Sequence, residues 1–305
     1  MTFLERIAQP RPILLDGATG TELSRRAVDI GLPLWSANAL LAAPNVLSQI
    51  HADYLRAGAE VITANTFRTH RRSLSRGGLG TQAEELTRRA VELARAAIVA
   101  YTGSRGQGMS RECYVAGSLA PLEDCYQPDQ VPPQAECEQE HAEMARHLAE
   151  AGVDLMLVET MNTIREAVAA TRAAVATGRP VITSFVCRDD GRLFSGEAVR
   201  PAVEAVVPLG VAGVCINCTP STIINKPFIE LRAAVRSFSD HSILVGLYAN
   251  IGKTDEISGW TATADVSPLE YARLAAKWLE LGAHLIGGCC GTTPAHIAAL
   301  RMVIG

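Results

Sequence analysis

The sequence predicts an α/β protein, a single (β/α)8 barrel over residues 1–305 with a short lead-in at 1–12. Three observations carry this expectation. Eight short runs rich in Val, Ile and Leu alternate with longer amphipathic stretches over nearly the whole chain, as parallel strands covered on both faces should. Chemically capable residues recur where these runs end, as at the C-terminal face of a barrel. The stretch Asp16-Gly17-Ala18-Thr19-Gly20 is not a GxGxxG fingerprint and no Walker A sequence occurs, so an open doubly wound nucleotide-binding sheet has no specific support.

In chain order, strand 13–16 precedes helix 44–57, strand 61–65 precedes helix 82–100, and strand 114–118 precedes helix 134–151. Strand 155–160 then leads to helix 162–177, strand 181–186 to helix 197–207, and strand 214–217 to helix 222–238. Strands 244–249 and 284–288 lead to helices 268–281 and 294–301, each opened by a capping residue and a proline, Ser267-Pro268 and Thr293-Pro294. Residues 101–111, containing TGSRGQGMS, read as a connection. Residues 187–197, CRDDGRLFSGE, break the pattern after the fifth strand and read either as a flap over the catalytic face or as a plain surface loop.

With 305 residues, 48% of them hydrophobic, the chain can bury a large core without disulfide staples. Lys plus Arg total 28 against 32 for Asp plus Glu, a formal net charge of -4. No concentrated basic footprint for nucleic acid follows from that balance. The opening MTFLERIAQPRP has charge and proline before any apolar run, unlike a secretory signal or a membrane span. Cytoplasmic location is the default expectation. Oligomeric state is open, because outer barrel helices serve monomers and homo-oligomers alike.

The cysteines are unevenly placed. Cys218 follows the sixth strand in GVCINCTP, and Cys289 and Cys290 follow the eighth in LIGGCCGTTP. In a barrel, strands six and eight flank strand seven, so these three thiols converge; the nearby glycines 287, 288 and 291 are expected to let the backbone turn tightly. Thiolates in this number suit Zn²⁺, and three protein ligands leave the fourth tetrahedral position exchangeable, as in a catalytic rather than a structural site. A vicinal 289–290 disulfide is the minor alternative. Cys215 lies three positions before Cys218 but in an apolar strand, where packing explains it. Cys113, Cys125, Cys137 and Cys187 read as packed or incidental thiols. Asp16, Asn65, Glu159, Ser184 and Asn250 also fall at or just beyond strand ends. Of the histidines, His70 has the best access to such a face, although packing is its commoner role.

The chain resembles the zinc-dependent homocysteine S-methyltransferase family, most closely its compact stand-alone members, through LLDGATGTEL at 14–23, LWSA at 34–37, ANTF at 64–67, VET at 158–160, INC at 216–218, YANIG at 248–252 and GGCCGTTP at 287–294. That resemblance implies zinc ligation by Cys218, Cys289 and Cys290, with Asn250 a candidate displaceable fourth ligand. It implies an amino-acid pocket around Asp16, Gly17 and Glu159, where Glu159 pairs with the substrate ammonium. Thr66, Ser184 and Asn217 are further candidates there, and Trp35, Phe67 and Tyr248 are candidates for the donor pocket.

The implied reaction is displacement of a methyl group onto the thiolate of zinc-bound homocysteine, giving methionine. A positively charged S-methyl or N-methyl donor suits displacement because its leaving group departs neutral, and the resemblance to compact stand-alone bacterial and plant-type members puts S-methylmethionine first. S-adenosylmethionine, betaine and a methyl-corrinoid protein partner are the alternatives. Another zinc thiol-alkyltransferase, a metal-dependent hydrolase and a zinc-stabilised non-catalytic interaction protein are the competing readings outside this reaction.

Overall fold

The computed structural model describes residues 1–103, 112–238, 243–252 and 266–305. Eight strands run β1 (Ile13–Leu14), β2 (Val61–Ala64), β3 (Tyr114–Leu119), β4 (Leu155–Met161), β5 (Val181–Phe185), β6 (Gly213–Pro220), β7 (Leu244–Asn250) and β8 (Leu285–Gly288). All adjacent pairs are parallel, in the order β1-β8-β7-β6-β5-β4-β3-β2. A parallel bridge between Leu15 and Val61 joins the two ends, and Asp16 N donates to Val61 O at 3.0 Å. The expected (β/α)8 barrel is the observed fold. Among the described residues no helix is long and apolar enough to cross a membrane.

Each expected helix is present, at Pro44–Ala57, Ala83–Gly103, Gln134–Ala151, Ile164–Val175, Val199–Val206, Asn225–Val235, Pro268–Glu280 and Pro294–Ile304. Ser267 and Glu270 form a reciprocal capping box at the start of the seventh. Short helices at Phe3–Ile7, Thr19–Arg25, Ala39–Ala42 and Arg71–Arg76 were not expected, because fewer than two or three turns leave no readable period. Residues 101–103 finish a helix rather than begin a connection; 104–111 of that segment, and His241, lie outside the described residues.

The lead-in has a structural task. Phe3 sits edge-on to Tyr114 with ring centroids 5.4 Å apart, and both belong to the apolar cluster that fills the barrel lumen. Arg6 is buried beside Glu60 at 2.9 Å and also donates to the carbonyls of Arg11 and Pro12. These contacts tie the lead-in helix to the strand starts.

Alternation along the strands explains the lumen. Ile13, Leu15, Val61, Tyr114, Ala116, Leu155, Leu157, Ile182, Cys215, Leu244 and Leu285 belong to its apolar cluster, while their neighbours Leu14, Ile62, Val115, Met156, Val181, Val214, Val245 and Ile286 pack outward against helices. Continuing by twos toward the strand ends, the residues that follow inward are Thr63, Ser118, Glu159, Ser184 and Asn217. The lumen is therefore oily through its depth and polar at its C-terminal mouth.

Candidate metal centre and substrate cavity

A cavity of about 490 Å³ opens at that mouth. Part of its wall is formed by Cys218, Cys289 and Cys290, whose sulfurs all lie within 4.8 Å of one another. Cys218 Sγ and Cys290 Sγ are 3.7 Å apart. Zinc–thiolate bonds of about 2.3 Å in a tetrahedron place sulfurs about 3.8 Å apart, so the spacing suits one metal ion held by all three. Among the described residues this is the one cluster of three or more His, Cys, Asp or Glu groups with that property. Cys289 and Cys290 are separate thiols, not a vicinal disulfide.

Simple alternation would turn Cys218 outward, with Val214 and Ile216. Instead its backbone takes φ of 50°, and the β6–β7 register shifts between Asn217 and Pro220. A left-handed residue at a strand irregularity re-aims its side chain, here into the cavity. Cys215, inward and lower, remains in the lumen core. Beyond β8, Cys289 N donates to Ala249 O at 2.8 Å and Ile251 N to Cys290 O at 3.1 Å, so β7 and the residue that follows it fix both cysteines.

The three glycines here divide the work. Gly291 has φ of 85° and turns the chain. Gly287 and Gly288 do not; they provide clearance, since a Cβ would meet Leu15 Cβ at 2.5 Å and Thr292 Oγ1 at 2.3 Å respectively.

Hydrogen bonds within the cluster converge on Cys218. The thiols of Cys289 and Cys290 donate to it and hold its pKa well below the ordinary thiol value, with help from the Tyr126 hydroxyl, 3.2 Å away. Cys289 and Cys290 are correspondingly pushed up by their bonds to Cys218. Asn250 donates from Nδ2 to Cys218 O at 3.0 Å, while its buried Oδ1 has no hydrogen-bond partner. A buried carbonyl oxygen without a donor is costly, and a metal in this cluster is one group that could use it. Donor set, spacing and this oxygen together fit zinc.

Elsewhere the cavity is lined by two buried carboxyls. Glu159 accepts from Ser118 Oγ at 2.5 Å and Tyr248 Oη at 3.1 Å, yet burial outweighs these bonds and raises its pKa to about 7. Asp16 accepts from Thr63 N at 2.7 Å and Thr63 Oγ1 at 2.9 Å, and burial, with a smaller push from Glu159, raises it to about 7 as well. A cavity that holds two carboxyls so reluctant to ionise is prepared for a cation.

This geometry coincides with a sequence match. The family model described as homocysteine S-methyltransferase matches residues 13–304. The chain belongs to the homocysteine S-methyltransferase family. It is 32% identical to the homocysteine S-methyltransferase of Escherichia coli strain K12, covering 95% of this chain and 94% of that one. It is 30% identical to a selenocysteine methyltransferase of Astragalus bisulcatus, covering 96% and 93%. The crystal structure of the metallated form of an Escherichia coli homocysteine methyltransferase superimposes with a TM-score of 0.83 at 29% identity, covering 98% of each chain. The chain is thus a metal-dependent methyltransferase by family, with its three-cysteine cluster placed to hold the ion.

Within this family member, the cavity brings together Asp16, Gly17, Trp35, Phe67, Glu159, Tyr248 and the three cysteines. Trp35 and Phe67 meet edge to face with centroids 5.6 Å apart. Tyr248 stands apart from them, bonded to Glu159. Thr66, Ser184, Asn217 and Asn250 lie behind the wall. Thr66 Oγ1 donates to Ser118 O at 2.8 Å and accepts from Ser118 N at 2.9 Å. Asn217 Oδ1 accepts from Ser184 Oγ at 2.7 Å and Thr160 N at 2.9 Å, and its Nδ2 donates to Thr160 Oγ1 at 2.9 Å. These bonds hold Thr160 in its left-handed conformation, φ 63°, next to Glu159. His70 instead caps the helix Arg71–Arg76, its ring accepting from Ser73 N.

Asn217→Ala should therefore leave Thr160 N and Ser184 Oγ without their acceptor. The expected loss is about 2 kcal/mol of stability, read by chemical denaturation, together with a raised KM for the amino-acid substrate. Unchanged stability would contradict the buttress role.

Sequence reading missed Arg68, Asp124, Cys125 and Tyr126, all of which line the cavity. Three of them sit in the loop after β3, whose only signal was its length and its prolines. The segment 187–197 forms a hairpin with a Cys187–Leu193 bridge. Its Phe194 packs edge-on against Tyr126 at 5.2 Å, backing the hydroxyl that meets Cys218.

Proposed function

We propose that this enzyme transfers a methyl group from a small sulfonium donor, S-methylmethionine, to the sulfur of homocysteine, forming methionine. The observation that carries the reading is the pairing, in one cavity, of a three-thiol metal cluster with the buried carboxyl of Glu159. A thiol-bearing amino acid spans such a pair with its sulfur at the cluster and its ammonium at the carboxylate.

Cys218, Cys289 and Cys290 would hold zinc, which when bound stabilises a substrate thiol as thiolate at neutral pH. The chain's own groups do the rest. Glu159, oriented by Ser118 and Tyr248, takes the ammonium and ionises as it does so. Asp16 adds a second negative charge nearby, and the Gly17 backbone borders the same space. Trp35 and Phe67 offer aromatic faces to a cationic donor. In the displacement, the acceptor sulfur's electron pair forms the new S–CH3 bond as the donor's C–S bond breaks, and the leaving thioether departs neutral. Holding the two reactants in line within the cavity supplies much of the rate.

Cytoplasmic location belongs to the same proposal, because three thiols must stay reduced to hold a metal. The test is a parallel assay of the zinc-loaded enzyme with homocysteine and each of S-methylmethionine, S-adenosylmethionine, betaine and a methyl-corrinoid protein. We expect the highest kcat/KM for methionine formation with S-methylmethionine. Equal or higher efficiency with another donor overturns that choice, and no product with any of them overturns the reaction.

A further inference from the structure

Arg68 is the odd member of an arginine-rich stretch. Arg71 pairs with Glu143 at 2.5 Å, Arg72 with Glu123, Glu136 and Glu140, and Arg76 with Glu123. Among the described residues no Asp or Glu pairs with Arg68. Its Nε is buried without a hydrogen-bond partner, and Nη1 reaches only Ser73 Oγ at 3.5 Å. The guanidinium carbon lies 5.7 Å from the centroid of the Phe67 ring, and the residue lines the cavity.

Asp124 lines the same cavity. Its carboxylate accepts from Tyr126 N at 2.8 Å and from Gln127 Nε2 at 3.3 Å, which leaves acceptor capacity, and no cation of the described residues pairs with it. The two charges line one cavity, yet among the described residues they form no ion pair with each other. An α-amino acid, with its carboxylate and ammonium on one carbon, is a ligand that satisfies both.

We infer that Arg68 and Asp124 form a second amino-acid subsite, which takes the α-carboxylate and α-ammonium of the methyl donor. The inference rests on the proposed methyl transfer to homocysteine, and it narrows the donor to amino-acid sulfonium compounds. Betaine has no N–H to donate to Asp124, and a corrinoid methyl group uses neither residue. Phe67 and Trp35 then lie beside the donor, with the acceptor's ammonium held separately at Glu159.

Equilibrium binding to the zinc-loaded enzyme tests this without requiring turnover. The probes are S-methylmethionine, its carboxyl methyl ester, which lacks the anion, and 4-(dimethylsulfonio)butanoate, which lacks the ammonium. Wild type should bind S-methylmethionine roughly 10- to 100-fold more tightly than either analogue, as for loss of one charge-assisted contact. Arg68→Gln should lose the preference over the ester, and Asp124→Asn the preference over the butanoate. Zinc content and homocysteine affinity should stay within about twofold of wild type, which separates a lost contact from a lost fold.

Equal binding of all three probes by wild type, or no binding, overturns the inference. So does a loss in either variant that falls on homocysteine instead. The two readings fail differently. Arg68-dependent donor binding without methyl transfer would sink the proposed reaction, and methyl transfer with donor affinity independent of Arg68 would sink the subsite.

Discussion

Cys218→Ala should lose its bound zinc and lower kcat/KM by about 10³-fold or more, since loss of even the groups that orient a metal's ligands costs 10- to 100-fold. The three thiols form the one His, Cys, Asp or Glu cluster able to hold a metal among the described residues, and hydrogen bonds from Cys289 and Cys290 hold the Cys218 thiol well below its ordinary pKa. Metal analysis and steady-state kinetics read the result together. Full zinc occupancy in Cys218→Ala would remove the metal assignment.

The backbone at this cysteine supplies a second measurement. Its φ of 50° costs an L-residue about 1 kcal/mol that glycine does not incur. Metal-free Cys218→Gly should therefore be more stable than metal-free Cys218→Ala by about that amount. Equal stability would mean that the left-handed conformation is not strained here. The strain is retained because it aims the thiol at the metal.

Glu159→Gln should raise KM for homocysteine by about 100-fold, the scale of one lost charge-assisted contact. Its pH dependence is the sharper test. Burial lifts Glu159 from an ordinary 4.5 to about 7, so a substrate ammonium meets a carboxylate above that pH and a neutral acid below it. For wild type, kcat/KM for homocysteine should fall about tenfold per unit on the acid side of this value. The variant should lack that limb. An identical acid limb in the variant would assign it to another group.

Stability should move the opposite way. Because its pKa is raised on folding, Glu159 contributes stability that is complete below about 4.5 and is lost as pH rises through about 7. At pH 8 the substrate-free wild type bears that cost, at most about 3 kcal/mol. Glu159→Gln should be more stable than wild type at pH 8 and gain little at pH 4. A variant less stable at pH 8 would show that its bonds to Ser118 and Tyr248 outweigh the burial of charge. A site that loses function and gains stability on one substitution is one held ready for a ligand.

Much of this was legible along the chain. Val-, Ile- and Leu-rich runs placed all eight strands, because parallel strands buried on both faces must be apolar throughout. Cys218, Cys289 and Cys290 stood out because thiols at strands six and eight can meet only across strand seven. Glu159 was visible as an acid at a strand end. The polar mouth was partly hidden. Thr66, Ser184 and Asn217 were expected beside the substrate, but their bonds go to Ser118 and Thr160 behind the wall.

Local pattern thus determined the fold, the metal-binding residue type and the end of the barrel where chemistry occurs. Burial period and strand order are near-neighbour properties, repeated often enough to read. Tertiary structure alone decided how the site is finished. Alternation would send Cys218 outward, and only the β6–β7 register shift and its left-handed backbone return it to the cavity. Tyr126 reaches Cys218 from 92 residues away, from a loop with no period. Arg68 resembles its ion-paired neighbours in sequence, and only the packing shows which arginine was left for a ligand. Such contacts depend on which distant surfaces meet, information that no local spacing contains.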